Sequence, residues 1–183
     1  LLDGADNRIA QSSMERERLW DARRSFGKVL MAMPHNNFTE DIGVPISRIP
    51  EMARRIDELA RREGVTIATL GHIGDGNLHP TIVFEDAQRP LISGIAAQIF
   101  RDALDLGGTI SAEHGLGALK RDYAAEEHGP LAVGLMREVK KLFDPQGLLN
   151  PHKVFPETPA DDDFLNRMPG WLGEATRRGE VGV

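Results

Sequence analysis

Two imidazoles stand on either side of a tight turn in Gly71-His72-Ile73-Gly74-Asp75-Gly76-Asn77-Leu78-His79-Pro80. Neutral imidazole is a common ligand for divalent metals, so a hairpin that brings His72 and His79 together offers a natural ligand pair. A second cluster, Ser111-Ala112-Glu113-His114-Gly115-Leu116-Gly117, adds a carboxylate beside a third imidazole. His72, His79 and Glu113 form a His/His/Glu set, which in catalytic centres leaves one coordination position open. Histidines beside a turn are also ordinary loop residues, and Asp-Gly is a common turn signal. On these residues alone, the metal and loop readings both stand.

The neighbouring sequence indicates how such residues would be positioned. Val65–Leu70 and Thr81–Phe84 are rich in β-branched and apolar side chains and read as strands. Gly74 and Gly76 permit the sharp turn between them. Thr109 to Glu113 reads as a further strand. Adjacent strand residues face opposite ways, so Glu113 and His114 share a site only if the strand ends or bulges there, which Gly115 permits.

Upstream, Ser12 or Ser13 caps a predicted helix running to about Met31, with Leu19, Phe26 and Leu30 near one face. Phe38–Ile46 reads as a strand. Ser47 is the expected cap of a helix with Pro50 in its first turn. That helix runs to about Glu63, with Met52, Ile56 and Leu59 inward and Arg54, Arg55, Arg61 and Arg62 wetted, and Gly64 ends it. A helix from about Arg89 to Leu106 offers Ile92, Ile95, Ile99 and Leu104 to a core.

Further helices are expected around Leu119–Glu127 and over Pro130–Phe143, the latter with Leu131, Leu135, Val139, Leu142 and Phe143 apolar. Asp144-Pro145-Gln146-Gly147 breaks that helix, and Leu148–Pro151 reads as extended. Residues 157–183 read as a polar surface tail with Trp171 as a docking anchor. The order of elements predicts an α+β fold: an antiparallel sheet with helices packed mainly on one face.

Composition narrows the function classes. The chain has 183 residues, 40% hydrophobic and 27% charged, enough for one sizeable core. A formal net charge of −6 gives no electrostatic support for nucleic-acid binding. No apolar run approaches the ~20 residues of a membrane span. The lack of cysteine excludes disulfides, thiolate catalysis and cysteine metal sites. Beginning at Leu1, the chain reads as a piece of something longer.

Three segments in one order, GHIGDGNLH, SAEHGLG and FDPQGLLNPHKVF, resemble the C-terminal domain of the FAD-linked oxidases, from about Trp20 to Pro156. That family includes D-lactate dehydrogenases, the glycolate oxidase flavin subunit and D-2-hydroxyglutarate dehydrogenase. The resemblance implies a ferredoxin-like cap domain over residues 1–156 that supplies the substrate and metal half of a site, with the FAD-binding domain upstream. The implied reaction is FAD-dependent oxidation of a D-2-hydroxy acid to its 2-oxo acid.

His72, His79 and Glu113 would hold a divalent metal, zinc ahead of manganese or iron, and His114 would be the catalytic base. Arg23, in Trp20-Asp21-Ala22-Arg23, matches the substrate-carboxylate arginine, with Arg24 as its confounder. Asn77 would order the hairpin or touch substrate, and Asn150 would lie near the flavin edge. Two departures stand out. Thr39 lies where hydroxyglutarate-type relatives place a lysine, which disfavours a dicarboxylate, and His152 replaces a glycine.

The expected partners are a small 2-hydroxy acid and an electron acceptor of unspecified kind. A homo-oligomer is compatible with the reading, as is a cytoplasmic location, membrane-peripheral through the acceptor. The competing readings are a non-catalytic metal-binding or interaction module, an alkyldihydroxyacetonephosphate synthase-like flavoenzyme, and a stand-alone metal hydrolase.

Overall fold

A computed structural model describes residues 8–32 and 36–155. The expected tail and Trp171 lie outside the described residues, as does the side chain of Leu30. The elements are α1 (Ser13–Ala32), β1 (Asn36–Thr39), β2 (Ile42–Gly43), α2 (Ile49–Glu63), β3 (Thr66–His72), β4 (Asn77–Phe84), α3 (Ile92–Asp105) and α4 (Ala124–Phe143). The fold is α+β, as expected, with an open antiparallel sheet. No described helix is long and apolar enough to cross a membrane.

β4 is the centre of the sheet. It pairs with β3 along one edge and with both β1 and β2 along the other. The expected single strand from Phe38 is therefore two short ones, although they keep one register: Thr39 opposes Thr81, and Ile42 opposes Leu78. Between them, Glu40 N–H donates to the Pro80 carbonyl at 2.9 Å. Proline has no N–H to return the bond, so the ladder is interrupted at Glu40–Asp41 while the backbone stays aligned. In this register Asp41 faces His79 as a non-hydrogen-bonded pair, the kind that brings side chains closest.

Period-two alternation then sorts the strands into two faces. Phe38, Ile42, Leu78, Ile82 and Phe84 point to the core and pack with Met52, Ile56 and Leu59 of α2 and Ile92, Ile95, Ile99 and Phe100 of α3. Thr39, Asp41, Asn77, His79 and Thr81 lie on the opposite face. Leu104 is only partly buried. Gly64 adopts the left-handed cap (φ 66, ψ 31) that ends α2.

Glu40 falls on the core side and is buried. Its Oε2 sits 3.1 Å from Nζ of the buried Lys120, which also donates to the carbonyls of Asp41 (2.6 Å) and Ile110 (2.8 Å). Burial raises the Glu40 pKa from the ordinary 4.5 to about 7, with the Lys120 charge opposing. The folded protein therefore binds this proton more tightly than the unfolded chain does. The resulting stability is fully present below the ordinary value and is lost as pH rises towards 7. Glu40→Gln, which cannot ionise, should gain on wild type by on the order of 3 kcal/mol between about pH 4.5 and about pH 8. Urea unfolding across that range measures the difference, and a pH-independent difference would contradict it.

Several expectations are corrected. α1 is capped as expected, with Glu15 N–H donating to Ser12 Oγ at 3.1 Å. Its described side chains are nonetheless all exposed except the partly buried Phe26, and Leu19 is exposed, so α1 is not a core helix here. Ser47 is not the cap of α2: Ile46–Arg48 forms a 3-10 turn, and Arg48 precedes the helix with no side-chain cap bond. The apolar stripe of α4 faces outward, with Leu131, Leu135, Val139, Leu142 and Phe143 all exposed; Ala124 and Val133 are its buried residues. The break expected between two helices is present, since non-helical Gly129 (φ 77, ψ 157) divides α4 ahead of Pro130, but the first helix begins at Ala124 and not near Leu119.

Thr109–Glu113 is not a strand. Only Thr109 bridges to Gly43, and the chain beyond it is irregular. A Cβ on Gly108 would collide with the Gly43 carbonyl, so glycine permits the close backbone approach that this bridge requires. Leu148–Pro151 is turned rather than extended, with Asn150 at φ 44, and His152 holds φ 63. His152, the expected departure from a glycine, thus holds a backbone conformation that glycine favours.

Candidate active site

The β3–β4 hairpin closes through His72 opposite Asn77. Gly76 N–H donates to the His72 carbonyl (3.1 Å), and the Gly76 carbonyl accepts from Val44 N–H (3.0 Å). At φ 83, a Cβ on Gly76 would strike the Val44 carbonyl, so this turn demands glycine. The result places His72, Asn77 and His79 at one end of the sheet. The ring of His79 stands 5.7 Å from that of His72, edge-on, and 5.3 Å from that of His114, nearly parallel.

The Ser111–His114 segment reaches this face because it wraps around Asp41. Asp41 Oδ2 accepts from Ser111 Oγ (3.0 Å), Glu113 N–H (3.0 Å) and His114 N–H (2.9 Å). These bonds replace strand geometry, which is why neighbouring Glu113 and His114 can serve one site. Burial pushes the Asp41 carboxyl upward, but the two backbone donors, the Lys120 charge and the Ser111 hydroxyl together hold it below its ordinary value.

Asp41, His79, Glu113 and His114 each offer a ligand atom, all within 4.8 Å of one another. His79 Nε2 is 3.2 Å from Glu113 Oε1, and His114 Nε2 is 3.7 Å from the same oxygen. Burial lowers the His79 pKa, against the opposing pull of Asp41 and Glu113, and so favours the neutral imidazole that metals bind. Two imidazoles and two carboxylates fit a divalent cation in chemical type, and Asp41 Oδ1 and His79 Nδ1 are buried without hydrogen-bond partners. His72 is outside the quartet and exposed.

Beside the cluster lies a cavity of about 620 Å3 whose lining includes Val44, Asp75, Asn77, Thr109 and Glu113. Asn77 is buried, its backbone N–H bound to Asp75 Oδ1 (3.1 Å), its own Oδ1 unpartnered. Arg23 is exposed on α1, while Arg24 pairs with Asp21 and Glu17. Asn150 is exposed, its carbonyl accepting from Lys153 N–H (3.3 Å). Thr39 Oγ1 lies 3.0 Å from Thr81 Oγ1 on the site face. Sequence reasoning missed Glu40, Asp41 and Lys120; the signal for the first two was a pair of adjacent carboxylates inside the strand-like stretch Phe38–Val44.

The chain matches the family "FAD linked oxidases, C-terminal domain" over residues 2–154. It is 36% identical over 156 residues to the glycolate oxidase subunit GlcD of Bacillus subtilis, covering 84% of this chain and 33% of that one. It is 38% identical over 126 residues to the mitochondrial D-lactate dehydrogenase [cytochrome] of Kluyveromyces lactis, covering 69% and 22%. With the D-2-hydroxyglutarate dehydrogenase of Stutzerimonas stutzeri the identity is 34% over 163 residues, covering 85% and 34%. The chain thus spans between 22% and 34% of the length of these relatives. The chain belongs to the FAD-linked oxidases, matching their C-terminal domain.

Proposed function

We propose that this chain supplies the substrate- and metal-binding half of a flavin-dependent dehydrogenase that oxidises a D-2-hydroxy acid to the 2-oxo acid. The reading is carried by the convergence of His79, Glu113, His114 and Asp41 beside an open cavity that Glu113 helps to line. Residues 1–156 would form this half and 157–183 a tail, with FAD held chiefly by a domain upstream.

Oxidation of the hydroxy acid breaks a C–H bond, with hydride leaving carbon, and an O–H bond, with the proton leaving oxygen. Unless that proton leaves, a costly protonated carbonyl results. His114 is the proposed acceptor of the hydroxyl proton; it is partly exposed and beside Glu113. His79 and Glu113, with His72 adjoining, would hold the divalent metal. When bound, that metal would supply a Lewis acid for the substrate's hydroxyl and carboxylate oxygens, and FAD would supply the hydride acceptor.

Asn77 would orient the substrate from the cavity wall. Arg23 would give its carboxylate a two-pronged guanidinium partner, and Asn150 would lie near the flavin. Thr39 is occupied with the Thr81 hydroxyl, so these two positions offer no cation to a second substrate carboxylate. A monocarboxylate such as D-lactate or glycolate is therefore favoured over D-2-hydroxyglutarate.

Anaerobic mixing of the complete flavoprotein with D-lactate, L-lactate, glycolate and D-2-hydroxyglutarate tests the proposal. Bleaching of the flavin by a monocarboxylic substrate (D-lactate or glycolate), lost on chelation and regained with metal, is expected. No bleaching by any of the four would overturn it.

A further inference from the structure

We infer that Asp41 is the positioning residue of this site: one carboxylate oxygen fixes the Glu113–His114 backbone while the other orients the His79 ring. The inference rests on the metal-binding reading above and deepens it. Asp41 is fully buried, and its two oxygens are used very differently. Oδ2 is saturated by Ser111 Oγ and the backbone N–H groups of Glu113 and His114. Oδ1 is buried without a partner, and so is His79 Nδ1. These two atoms lie 3.8 Å apart, just beyond hydrogen-bond length, across the strand pair that the Pro80 interruption leaves in register.

An unpaired buried polar atom is costly, so two facing orphans favour a small closing movement that pairs them. Three donors on Oδ2 favour the ionised carboxylate, so the proton between the two atoms is carried by Nδ1. Nδ1–H donation to Oδ1 then leaves the Nε2 lone pair aimed towards Glu113 Oε1, 3.2 Å away. Two acceptors at that separation require a proton or a cation between them. A carboxylate that receives the distal N–H of a ligating histidine fixes its tautomer and ring orientation, and losing it typically costs about 10–100-fold in metal affinity. Asp41 would do this while also holding the loop that carries Glu113 and His114, so a single side chain sets the relative placement of three site residues.

Asp41→Asn separates this role from others. Its amide oxygen can keep the three loop donors, which turns the NH2 group towards His79 Nδ1. The ring must then accept at Nδ1 and carry its proton on Nε2, which blocks the ligand atom. Zinc titration of the full chain should show affinity reduced about 10–100-fold in Asp41→Asn, with the metal-free melting temperature close to wild type.

Unchanged zinc affinity in a folded Asp41→Asn chain would overturn the inference, and so would a fall in melting temperature with affinity intact. A measurement on wild type needs no variant to fold. Long-range 1H–15N correlation of the zinc-loaded chain should show His79 protonated at Nδ1 and metal-bound at Nε2. An unprotonated Nδ1, the outcome if Asp41 Oδ1 is itself a fourth ligand, would sink the assignment. Failure of wild type to bind zinc, manganese or iron at all would remove the metal reading beneath it, and is distinguishable from either result.

Discussion

Replacing His79 by alanine in the complete flavoprotein is expected to abolish substrate-driven flavin reduction while leaving the fold intact. His79 is the third residue of β4, its side chain retains some exposure and its ring lies on the polar face, away from the apolar core. The backbone pairing of β4 with β3 and β1 does not depend on the ring. What the substitution removes is the imidazole nitrogen 3.2 Å from Glu113 and the ring stacked on His114. Metal affinity should fall by more than the ~10–100-fold typical of losing an outer partner of a ligand. Turnover should fall at least ~100-fold, the scale of losing one group that stabilises developing charge. Metal content, rapid-mixing flavin absorbance and far-UV circular dichroism measure the three quantities. A folded His79→Ala protein with full metal content and normal bleaching would refute the assigned role.

The second large effect concerns stability. Lys120→Met should destabilise the chain by about 3–5 kcal/mol, the usual cost of removing one partner from a buried ion pair. Lys120 Nζ satisfies Glu40 Oε2 and two buried backbone carbonyls on two separate segments, Asp41 and Ile110. The loss should grow with pH. At low pH Glu40 can take up a proton and shed its unpaired charge, while above its raised pKa it cannot. The double variant Glu40→Gln/Lys120→Met should recover much of the loss, leaving the two unpaired carbonyls as the residue of it. Urea unfolding of the single and double variants forms the cycle. A loss below about 1 kcal/mol for Lys120→Met would contradict the role given to the pair.

The parts of this molecule that were legible in the sequence are those written in local chemistry. The turn glycines and β-branched flanks of the His72–His79 hairpin specify two strands, and the 3.6-residue period of Met52, Ile56 and Leu59 specifies the buried face of α2. What was not legible depends on partners distant in sequence. Periodicity correctly reports that α4 has an apolar stripe, but it carries no information on what covers it, and in this chain Leu142 and Phe143 are 80% and 81% exposed.

The Thr109–Glu113 segment has strand-like composition, yet its hydrogen bonds go to the Asp41 side chain instead of a neighbouring strand. That choice is set by a residue some seventy positions upstream. Asp41 itself was hidden because a carboxylate in a strand reads as solvated. Its burial follows from the register with His79, which only the assembled sheet supplies. The strand break at Glu40–Asp41 was in principle readable from Pro80, but only once β4 was known to lie opposite.

Whether His79 and Glu113 hold a metal is decided by calorimetric titration of the metal-free chain with zinc and with manganese, combined with X-ray absorption of the loaded protein. One saturable equivalent per chain is expected, with imidazole nitrogen and carboxylate oxygen neighbours, and it should be lost in Glu113→Gln and His79→Ala alike. Absence of saturable binding, or binding that survives both substitutions, would contradict it.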